Sequence, residues 1–513
     1  MTHVESAQRA VEELLFFSRE KGLVEREDVP FSRNLLLDVM RLDAPGEAVT
    51  TGLTPETATV YLEKLLDAAA GRGLIEDNLT ERELFGARLM GCVTPAPAVV
   101  RREFQKLYEE QGPEKATGWF YRLCRGCDYI RVDQISKNIR YFAHTDCGEL
   151  EITINLSKPE KDPKEIAKLK SAPQAGYPKC MLCVENPGYA GRPGFPARQN
   201  HRVVPVKLSG DDWYLQYSPY LYYKEHCIVL NGEHVPMAIN EKSFRRLFDF
   251  VDQFPHYFIG SNADLPIVGG SILNHDHFQG GNHIFPMDRA RDRCALSCPA
   301  PGVRAAVIDW PMSALSLAGT DREALISLAV SMLSAWREYS DPKRDILAHT
   351  TEPHNTITPI LRKLDQEYRL MLVLRNNRTT AEHPLGLFHP HAPLHHIKKE
   401  NIGLIEVMGL FILPGRLKDE LQQLECYLTG EKPLKEPAAN DPSFKHFPWI
   451  TELAAKTGTG LKKEEARRAL DTAVADVCSQ VLADAGVFKQ TEDGLRGMLA
   501  FLAAQGLHKA ERA

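Results

Sequence analysis

Two glycine pairs bracket an alternating row of histidine and glutamine, and this stretch restricts the fold more than any other part of the chain. Residues 269–281 read Gly-Gly-Ser-Ile-Leu-Asn-His-Asp-His-Phe-Gln-Gly-Gly. Side chains two residues apart in an extended segment point the same way. We therefore expect His275, His277 and Gln279 to line one face of a strand, where glycines let a bulky anionic ligand approach the backbone. Such a row suits metal ligation or nucleophilic attack on a phosphate, because imidazole can be neutral near pH 7.

Composition restricts the class of protein. The chain has 513 residues, of which 43% are apolar and 25% charged, enough for two or more core-bearing units. A net charge of −6 argues against a general nucleic-acid or membrane-surface binder. The first residues lack a basic start and an apolar core, and no run approaches the roughly 18 apolar residues of a spanning helix, so we expect a cytoplasmic location.

The pattern of apolar residues changes along the chain. Helical periodicity and helix-start residues dominate the first 142 residues, and a period-two strand follows at 150–156. Mixed sheet and helix are expected to about residue 410, and helices again over 450–511 after a proline-rich loop at 433–448. The predicted helices are 4–21, 32–40, 54–70, 80–90, 99–110, 240–253, 321–339 and 415–428, and the further strands are 213–218, 226–230 and 368–375.

Cysteine spacing raises the question of metal binding. The eleven cysteines are an odd number in a long chain, which favours metal sites over a disulfide framework. Cys180-Met-Leu-Cys183 offers two soft ligands to one ion, but the pair alone lacks the other two ligands of a tetrahedral site, and buried small hydrophobes are the alternative. A second set has the form of a structural zinc module or is a coincidence of spacing, and comprises Cys124, Cys127, His144 and Cys147.

The His-x-His-x-Gln row behind a Gly-Gly-Ser turn resembles the nucleophile motif of the galactose-1-phosphate uridylyltransferases, a branch of the histidine-triad superfamily. Four further blocks resemble the second, longer class of this family, found mainly in bacteria, and lie at 157–163, 198–202, 354–359 and 397–408. The likeness covers most of residues 1–430. It implies an α+β fold with histidine-triad-like antiparallel sheet units, duplicated along the chain, between a helical N-terminal region and a helical C-terminal tail.

The resemblance also implies a division of the chain and a metal site. The expected segments are a helical region at 1–145, a catalytic unit at 146–300, a second histidine-triad-like unit at 301–430 and a tail at 431–513. A structural zinc ion would be held by Cys180, Cys183, His234 and His275. This assignment leaves His277 free to react.

By resemblance, His277 is the nucleophile that attacks the α-phosphorus of a nucleotide sugar and forms a uridylylated histidine. Its other ring nitrogen needs an acceptor that fixes the tautomer, and Asp276 is a poor candidate because it points the opposite way in an extended segment. Gln279 favours transfer over hydrolysis, since an amide can bond a phosphoryl oxygen but cannot shuttle a proton as a third histidine could. The expected substrate-binding residues are Arg198, Asn200, Arg202, Asn262, Gly269, Gly270, Ser271, Lys399 and Glu406.

Five histidines fall within residues 383–396. The resemblance suggests a second metal site there, with His389 and His391 as a His-x-His pair and His354 as a third ligand. A merely structural or interfacial cluster is the alternative.

Taken together, the resemblance implies UMP transfer from UDP-glucose to galactose 1-phosphate, with glucose 1-phosphate and UDP-galactose as products. The expected partners are these small molecules, not nucleic acid or membrane, and a homodimer is compatible with the sequence. One alternative is a nucleotidyltransferase or phosphorylase acting on another nucleotide sugar. The other is a non-catalytic, zinc-braced binding protein in which His277 is itself a ligand.

Overall fold

The computed structural model describes residues 3–52, 54–157, 176–270 and 272–510. Its helices are α1 (His3–Glu20), α2 (Val29–Met40), α3 (Thr59–Gly71), α4 (Leu79–Gly91), α5 (Pro97–Gln111), α6 (Pro113–Gly126), α7 (Val132–Ile135), α8 (Glu241–Gln253), α9 (Arg322–Glu338), α10 (Leu404–Val407), α11 (Leu417–Thr429), α12 (Phe447–Thr457), α13 (Lys463–Ala485) and α14 (Glu492–Ala503). Its strands are β1 (Ile139–Thr145), β2 (Gly148–Asn155), β3 (Val204–Leu208), β4 (Asp211–Tyr217), β5 (Cys227–Asn231), β6 (Phe258–Gly260), β7 (His277–Gly281), β8 (Asp292–Ser297), β9 (Arg304–Ile308), β10 (Ala314–Gly319), β11 (Asn355–Leu364), β12 (Glu367–Asn376), β13 (Leu410–Pro414) and β14 (His508–Lys509).

The chain divides into two compact units. The first comprises residues 1–137, 157–235 and 275–277, and the second comprises 138–156, 236–274 and 278–513. Each unit combines helices with an antiparallel sheet; the described residues begin with helix α1, and helices α12 to α14 precede the two-residue strand β14. The predicted α+β class with a helical N-terminal region and a helical tail is therefore confirmed.

The first unit begins with helices whose apolar faces are buried. In α1, the buried residues Ala7, Ala10, Val11 and Leu14 follow helical spacing and pack in the region where α1 meets α3. The start predicted at Thr54 is wrong, since α3 begins at Thr59. The hydroxyls of Thr57 and Thr59 both donate to Asp133, so tertiary hydrogen bonds override the local helix-start signal.

Two described helices of this unit, α6 and the short α7, are not among the predicted ones. Helix α6 begins at Pro113, directly after Gly112, whose positive φ of 89° turns the chain out of α5. The unit also contains the antiparallel order β3-β4-β5, in which Val204 pairs with Leu215 and Trp213 with Asn231. Strand β5 ends at Asn231, whose backbone N–H bonds the Asp276 carbonyl between the two histidines of the row.

The second unit contains two sheets. Eight strands follow the antiparallel order β14-β8-β9-β10-β12-β11-β6-β7. The smaller sheet has the order β1-β2-β13, with β1 and β2 antiparallel and β2 and β13 parallel. Helix α8 begins with a capping box between Asn240 and Ser243, and α9 begins with Asp321 accepting two backbone N–H groups. Both helices lie within the predicted ranges 240–253 and 321–339.

The C-terminal tail is part of the core of the second unit. The rings of Phe488 and Phe501 pack on Trp336, and the carbonyl oxygen of Phe488 accepts from Ser313 Oγ at 3.2 Å. The predicted loop at 433–448 is shorter than expected, because α12 begins at Phe447. Within the described residues, no helix combines the length and the apolar character needed to cross a membrane.

Candidate active site and metal centre

Residues 275–277 lie alongside the end of β5 in the first unit. The Asn231 N–H donates to the Asp276 carbonyl at 3.0 Å, and the Asp276 N–H donates to the Val235 carbonyl at 2.7 Å. These two backbone bonds fix the register of the histidine row against the 231–235 segment. Side chains of 275 and 277 therefore have defined positions relative to His234.

A tight turn holds the two cysteines of the Cys-x-x-Cys motif. The Asn186 side-chain amide donates to the carbonyl oxygens of Cys180 and Cys183, at 2.9 and 2.7 Å. The Cys183 N–H also donates to the Cys180 carbonyl at 3.3 Å. Both sulfur atoms consequently emerge on one side of the turn, 3.6 Å apart.

Four side chains meet at one point of the first unit. The ligand atoms of Cys180, Cys183, His234 and His275 all lie within 4.8 Å of one another. The Cys180 sulfur is 3.2 Å from His275 Nδ1, and the Cys183 sulfur is 3.3 Å from His234 Nδ1. Metal–sulfur and metal–nitrogen bonds of tetrahedral zinc-type sites place neighbouring donor atoms about 3.3–3.8 Å apart. The cluster is therefore able to hold a metal ion.

The orientation of His275 suits a metal ligand. Its Nε2 lies 2.9 Å from the Asn231 carbonyl oxygen, which can only accept a hydrogen bond, so Nε2 carries the proton. Nδ1 is left with its lone pair directed at the sulfur atoms. Metal-ligating histidines commonly donate their other N–H to such an acceptor. Burial also lowers the pKa of His275, which keeps the ring neutral.

His277 carries its proton on the opposite nitrogen. Its Nδ1 lies 2.8 Å from the His275 carbonyl oxygen, so Nδ1–H donates and Nε2 keeps a lone pair. Burial lowers the pKa of His277 to about 4, and the imidazole is therefore neutral at pH 7. The acceptor that fixes the His277 tautomer, which the sequence did not identify, is thus the backbone carbonyl of His275. The backbone of Asp276 forms hydrogen bonds with Asn231 and Val235.

The residues after His277 continue as strand β7. The strand begins at His277, so His275 precedes it and the predicted row of three side chains on one strand is only partly formed; alternation gives Gln279 the same direction as His277. In the second unit, Gln279 pairs with Gly260 and Gly281 pairs with Phe258 on β6. Gln279 is half-buried, whereas Gly280 and Gly281 are buried.

The predicted phosphate-binding turn lies in the second unit. Gly269 forms a backbone bridge with Ala263, and a Cβ on Gly270 would lie 2.8 Å from Asn262 Nδ2. The Asn262 Oδ1 is already an acceptor, since the Leu404 N–H donates to it at 2.9 Å. Ser271 lies outside the described residues, and most of the block at 157–163 does too.

The predicted uridine and phosphate contacts of the first unit have different environments. Arg198 is buried, donates to the Tyr129 hydroxyl at 3.0 Å, and has an Nε atom with no protein partner within the described part of the chain. The Asn200 amide donates to the Cys127 carbonyl. Arg202 donates to four backbone carbonyls, those of Thr94, Pro95, Gln199 and His201. Arg202 is thereby committed to loop packing more fully than Arg198.

The predicted hexose contacts occupy one turn of the second unit. Glu406 accepts from Lys398 Nζ at 3.1 Å, not from the predicted Lys399, whose side chain is exposed. The Arg375 guanidinium is fully buried nearby and donates to the Ile402 carbonyl at 2.9 Å. Burial lowers the pKa of Arg375 to about 10, and the Glu406 carboxylate opposes this shift. Sequence reasoning missed Lys398 and Arg375, and only the adjacent lysine pair signalled the former.

The second histidine region does not assemble a ligand set. His354 bonds Asn377 and Thr350, His389 bonds Asn401 and a backbone carbonyl, and His391 bonds the Leu387 carbonyl. Across the described ranges, the only group of converging ligands is the Cys180 cluster. The suggested second metal site is therefore not formed by these residues.

The Cys124 to Cys147 pattern is likewise not among the converging groups that the described residues form. Cys124 and Cys127 are fully buried, and burial raises the pKa of both thiols. In the second unit, Cys147 contacts Thr145 Oγ1 and Ser479 Oγ. Among the described residues this pattern is therefore a coincidence of spacing, which was the alternative to a zinc module.

Comparison with known proteins gives consistent matches. The family models described as galactose-1-phosphate uridyl transferase, N-terminal and C-terminal domains, match residues 47–236 and 249–436. A protein named galactose-1-phosphate uridylyltransferase from Caldanaerobacter subterraneus is 51% identical, over 97% of this chain and 98% of its own length. One of the same name from Bacillus subtilis is 46% identical, over 96% of each chain. The crystal structure of yeast Ap4A phosphorylase matches with a TM-score of 0.33 at 13% identity, covering 62% of this chain and 95% of that chain.

Proposed function

Because this chain belongs to the galactose-1-phosphate uridylyltransferase family, we propose that it transfers UMP from UDP-glucose to galactose 1-phosphate through a uridylyl-histidine. The products are glucose 1-phosphate and UDP-galactose. The observation that carries this proposal is the hydrogen bond of 2.8 Å from His277 Nδ1 to the His275 carbonyl. It leaves Nε2 of a neutral, buried imidazole as the nucleophilic atom.

In the first half-reaction, the Nε2 lone pair forms a bond to the α-phosphorus of UDP-glucose. The bond from that phosphorus to the bridging oxygen breaks, and glucose 1-phosphate leaves with the electron pair. The imidazole becomes positively charged, and its Nδ1–H strengthens its bond to the His275 carbonyl. In the second half-reaction, a phosphate oxygen of galactose 1-phosphate attacks the same phosphorus and Nε2 departs with its lone pair.

Gln279 would bond a phosphoryl oxygen on the same face of β7. Its amide can donate a hydrogen bond but cannot act as a general base for water. This chemistry favours transfer to a sugar phosphate over hydrolysis of the intermediate.

The Cys180 cluster would hold a structural zinc ion. Two sulfur and two nitrogen donors at tetrahedral separations fit Zn²⁺, and four protein ligands leave no open coordination position. The ion would fix the ring of His275, whose carbonyl orients His277. Zinc would thus supply rigidity, and His277 would perform the attack.

The remaining site residues are proposed by role. Arg198 and Asn200 would contact uridine and its phosphates, with the unpartnered Arg198 Nε as the available donor. Phosphate oxygens would be held by Ser271, Asn262 and the turn at Gly269 and Gly270, while Lys399 and Glu406 would face the hexose. The segments 146–300 and 301–430 would carry these groups, with 1–145 and 431–513 supporting them.

A label-exchange experiment tests the proposal. The protein is incubated with UDP-glucose and labelled glucose 1-phosphate, without galactose 1-phosphate, and label in UDP-glucose is measured. Two-step transfer predicts exchange, because the uridylylated protein reacts with either sugar phosphate. A panel of hexose 1-phosphates, inorganic phosphate and water as acceptors then identifies the second substrate. Preference for inorganic phosphate would favour the phosphorylase alternative, and absence of exchange despite net transfer would contradict the covalent route.

A further inference from the structure

Two adjacent lysines of the 397–408 block have opposite environments. Lys398 is only 4% exposed, and its Nζ lies 3.1 Å from Glu406 Oε1. Lys399 is exposed, and only its backbone N–H bonds a carboxylate, that of Glu400. A lysine is almost never fully buried unless it is paired. The Lys398–Glu406 pair is therefore a buried ion pair that belongs to the folded structure of this turn.

The turn that presents Glu406 is rigid at several points. The Gly403 N–H donates to Glu406 Oε2 at 3.3 Å, and the Leu404 N–H donates to Asn262 Oδ1 at 2.9 Å. Arg375 holds the Ile402 carbonyl from the other direction at 2.9 Å. The bonds to Leu404 and Ile402 fix where the turn lies, while Lys398 and the Gly403 N–H each bond one oxygen of Glu406 and together fix the direction of its carboxylate.

Glu406 retains capacity to bind a ligand. An ionised carboxylate offers about four acceptor positions. Lys398 and Gly403 use two of them, and the side chain is 13% exposed. Lys398 Nζ also lies 3.7 Å from a Glu400 carboxylate oxygen, so Glu406 is the nearer of its two carboxylate partners. An ionised, oriented carboxylate accepts hydrogen bonds from neutral hydroxyl groups, which are the groups that distinguish one hexose from another.

We propose that Lys398 is a positioning residue for hexose recognition, which orients the Glu406 carboxylate so that its remaining acceptor positions receive sugar hydroxyl groups. This inference rests on the proposed function, because it takes a hexose 1-phosphate as the ligand of Glu406. Lys398 itself does not touch the sugar. Its loss should therefore weaken sugar binding in the same way as loss of the Glu406 charge.

The test compares Lys398→Met, Glu406→Gln and the double variant in the whole chain. We expect each single variant to raise the KM for galactose 1-phosphate about tenfold or more, since hydrogen bonds to charged groups are the strong ones. The double variant should be no worse than either single one, because both act through one interaction. It also removes both members of the buried Lys398–Glu406 pair together, so neither is left as a buried charge without the other, which guards against misfolding of the single variants. Lys398→Arg, which keeps the charge, should recover most of the affinity.

Lys363→Met is the matched control. Lys363 pairs with Asp252 at 2.7 Å in the same unit, away from the 397–408 block in sequence. It should lower Tm and leave the KM within about twofold, as expected for a surface ion pair. If Lys398→Met changes Tm but not KM, as Lys363→Met does, Lys398 is structural only and the inference fails.

Calorimetric titration with galactose 1-phosphate separates this inference from the proposed function. If the unsubstituted chain binds the sugar phosphate but transfers no UMP, the proposed function fails and the same variants are compared by Kd. An unchanged Kd in Lys398→Met would overturn the inference, and a tenfold weaker one would support it. If the unsubstituted chain neither binds galactose 1-phosphate nor transfers UMP to it, both fail.

Discussion

The chain has two regions rich in possible metal ligands, and they differ in what their side chains face. In the first unit, two thiols and two imidazole nitrogens converge within 4.8 Å. In the second, the ring nitrogens of His354, His389 and His391 face side-chain amides, a hydroxyl, carbonyl oxygens and, for His391 Nδ1, the Asp484 carboxylate at 3.5 Å. The density of histidine in the sequence is higher in the second region. A metal site is therefore indicated by ligand atoms that converge on one point, and not by the number of histidines in a stretch of sequence.

The cause of the difference lies in the backbone. The Asn186-braced turn aims both sulfur atoms to one side, and the Asn231 carbonyl leaves Nδ1 of His275 as the free nitrogen. In the second region, the imidazole nitrogens form hydrogen bonds with nearby oxygen atoms and do not converge on one point. These histidines therefore connect neighbouring loops by hydrogen bonds. Three substitutions test this contrast, beginning with the largest expected effect, and a fourth tests a buried histidine elsewhere in the second unit.

His277→Ala should reduce UMP transfer at least roughly a thousandfold, because no other side chain replaces the nucleophile. Metal content should stay at the unsubstituted level, since His277 Nδ1 faces a carbonyl. His391→Ala is the matched change in the second region and should alter the rate less than about threefold. Turnover and elemental analysis of both proteins check this, and metal loss from His277→Ala would favour the zinc-braced binding protein.

Cys183→Ser should remove most of the bound metal and lower the free energy of unfolding by at least about 3 kcal/mol, because metal binding is coupled to folding. Cys127→Ser provides the control, since it belongs to the other Cys-x-x-Cys pair and its sulfur faces the Asn200 carbonyl. It should lower stability without changing metal content. Equal metal loss in both variants would contradict the distinction between the two cysteine pairs.

Asn186→Ala should weaken metal affinity about 10- to 100-fold, because residues that orient ligands have effects of this size. The carbonyl oxygens of Cys180 and Cys183 would lose their shared donor. Asn401→Ala, which removes a partner of His389 at 3.3 Å, should leave metal affinity unchanged. Competition with a chromophoric chelator measures both metal affinities. An unaltered affinity in Asn186→Ala would show that the turn braced by Asn186 is not needed to position the cysteine ligands.

Acid should destabilise the second unit through His446, which is buried between His396 and Glu420. Burial lowers the pKa of His446 although Glu420 opposes the shift, so below about pH 6.5 the unfolded chain takes up a proton that the folded chain excludes. Stability should therefore fall with pH, by no more than about 1.4 kcal/mol per unit for one group. Urea unfolding at pH 7.5 and 5.5 should show a smaller difference for His446→Gln, and an equal difference would exclude His446 as the cause.

The sequence predicted the site better than its surroundings. Residues 180, 183, 234 and 275 converge as the resemblance implied, because the cysteine and histidine types needed for ligation are visible in the sequence. The His275 carbonyl that orients His277 could not be foreseen, since every residue has a carbonyl and only the fold selects one. The buried member of the Lys398–Lys399 pair was missed for the same reason. Among the helices, α3 was misplaced because Asp133 is distant in sequence from Thr59.

The most direct test of the central claim is the intact mass of the protein after brief exposure to UDP-glucose alone. The account predicts a gain of one uridylyl group, its disappearance when galactose 1-phosphate is added, and no gain in His277→Ala. A protein that turns over the substrate pair without ever gaining this mass, or gains it equally in His277→Ala, would contradict His277 as the nucleophile.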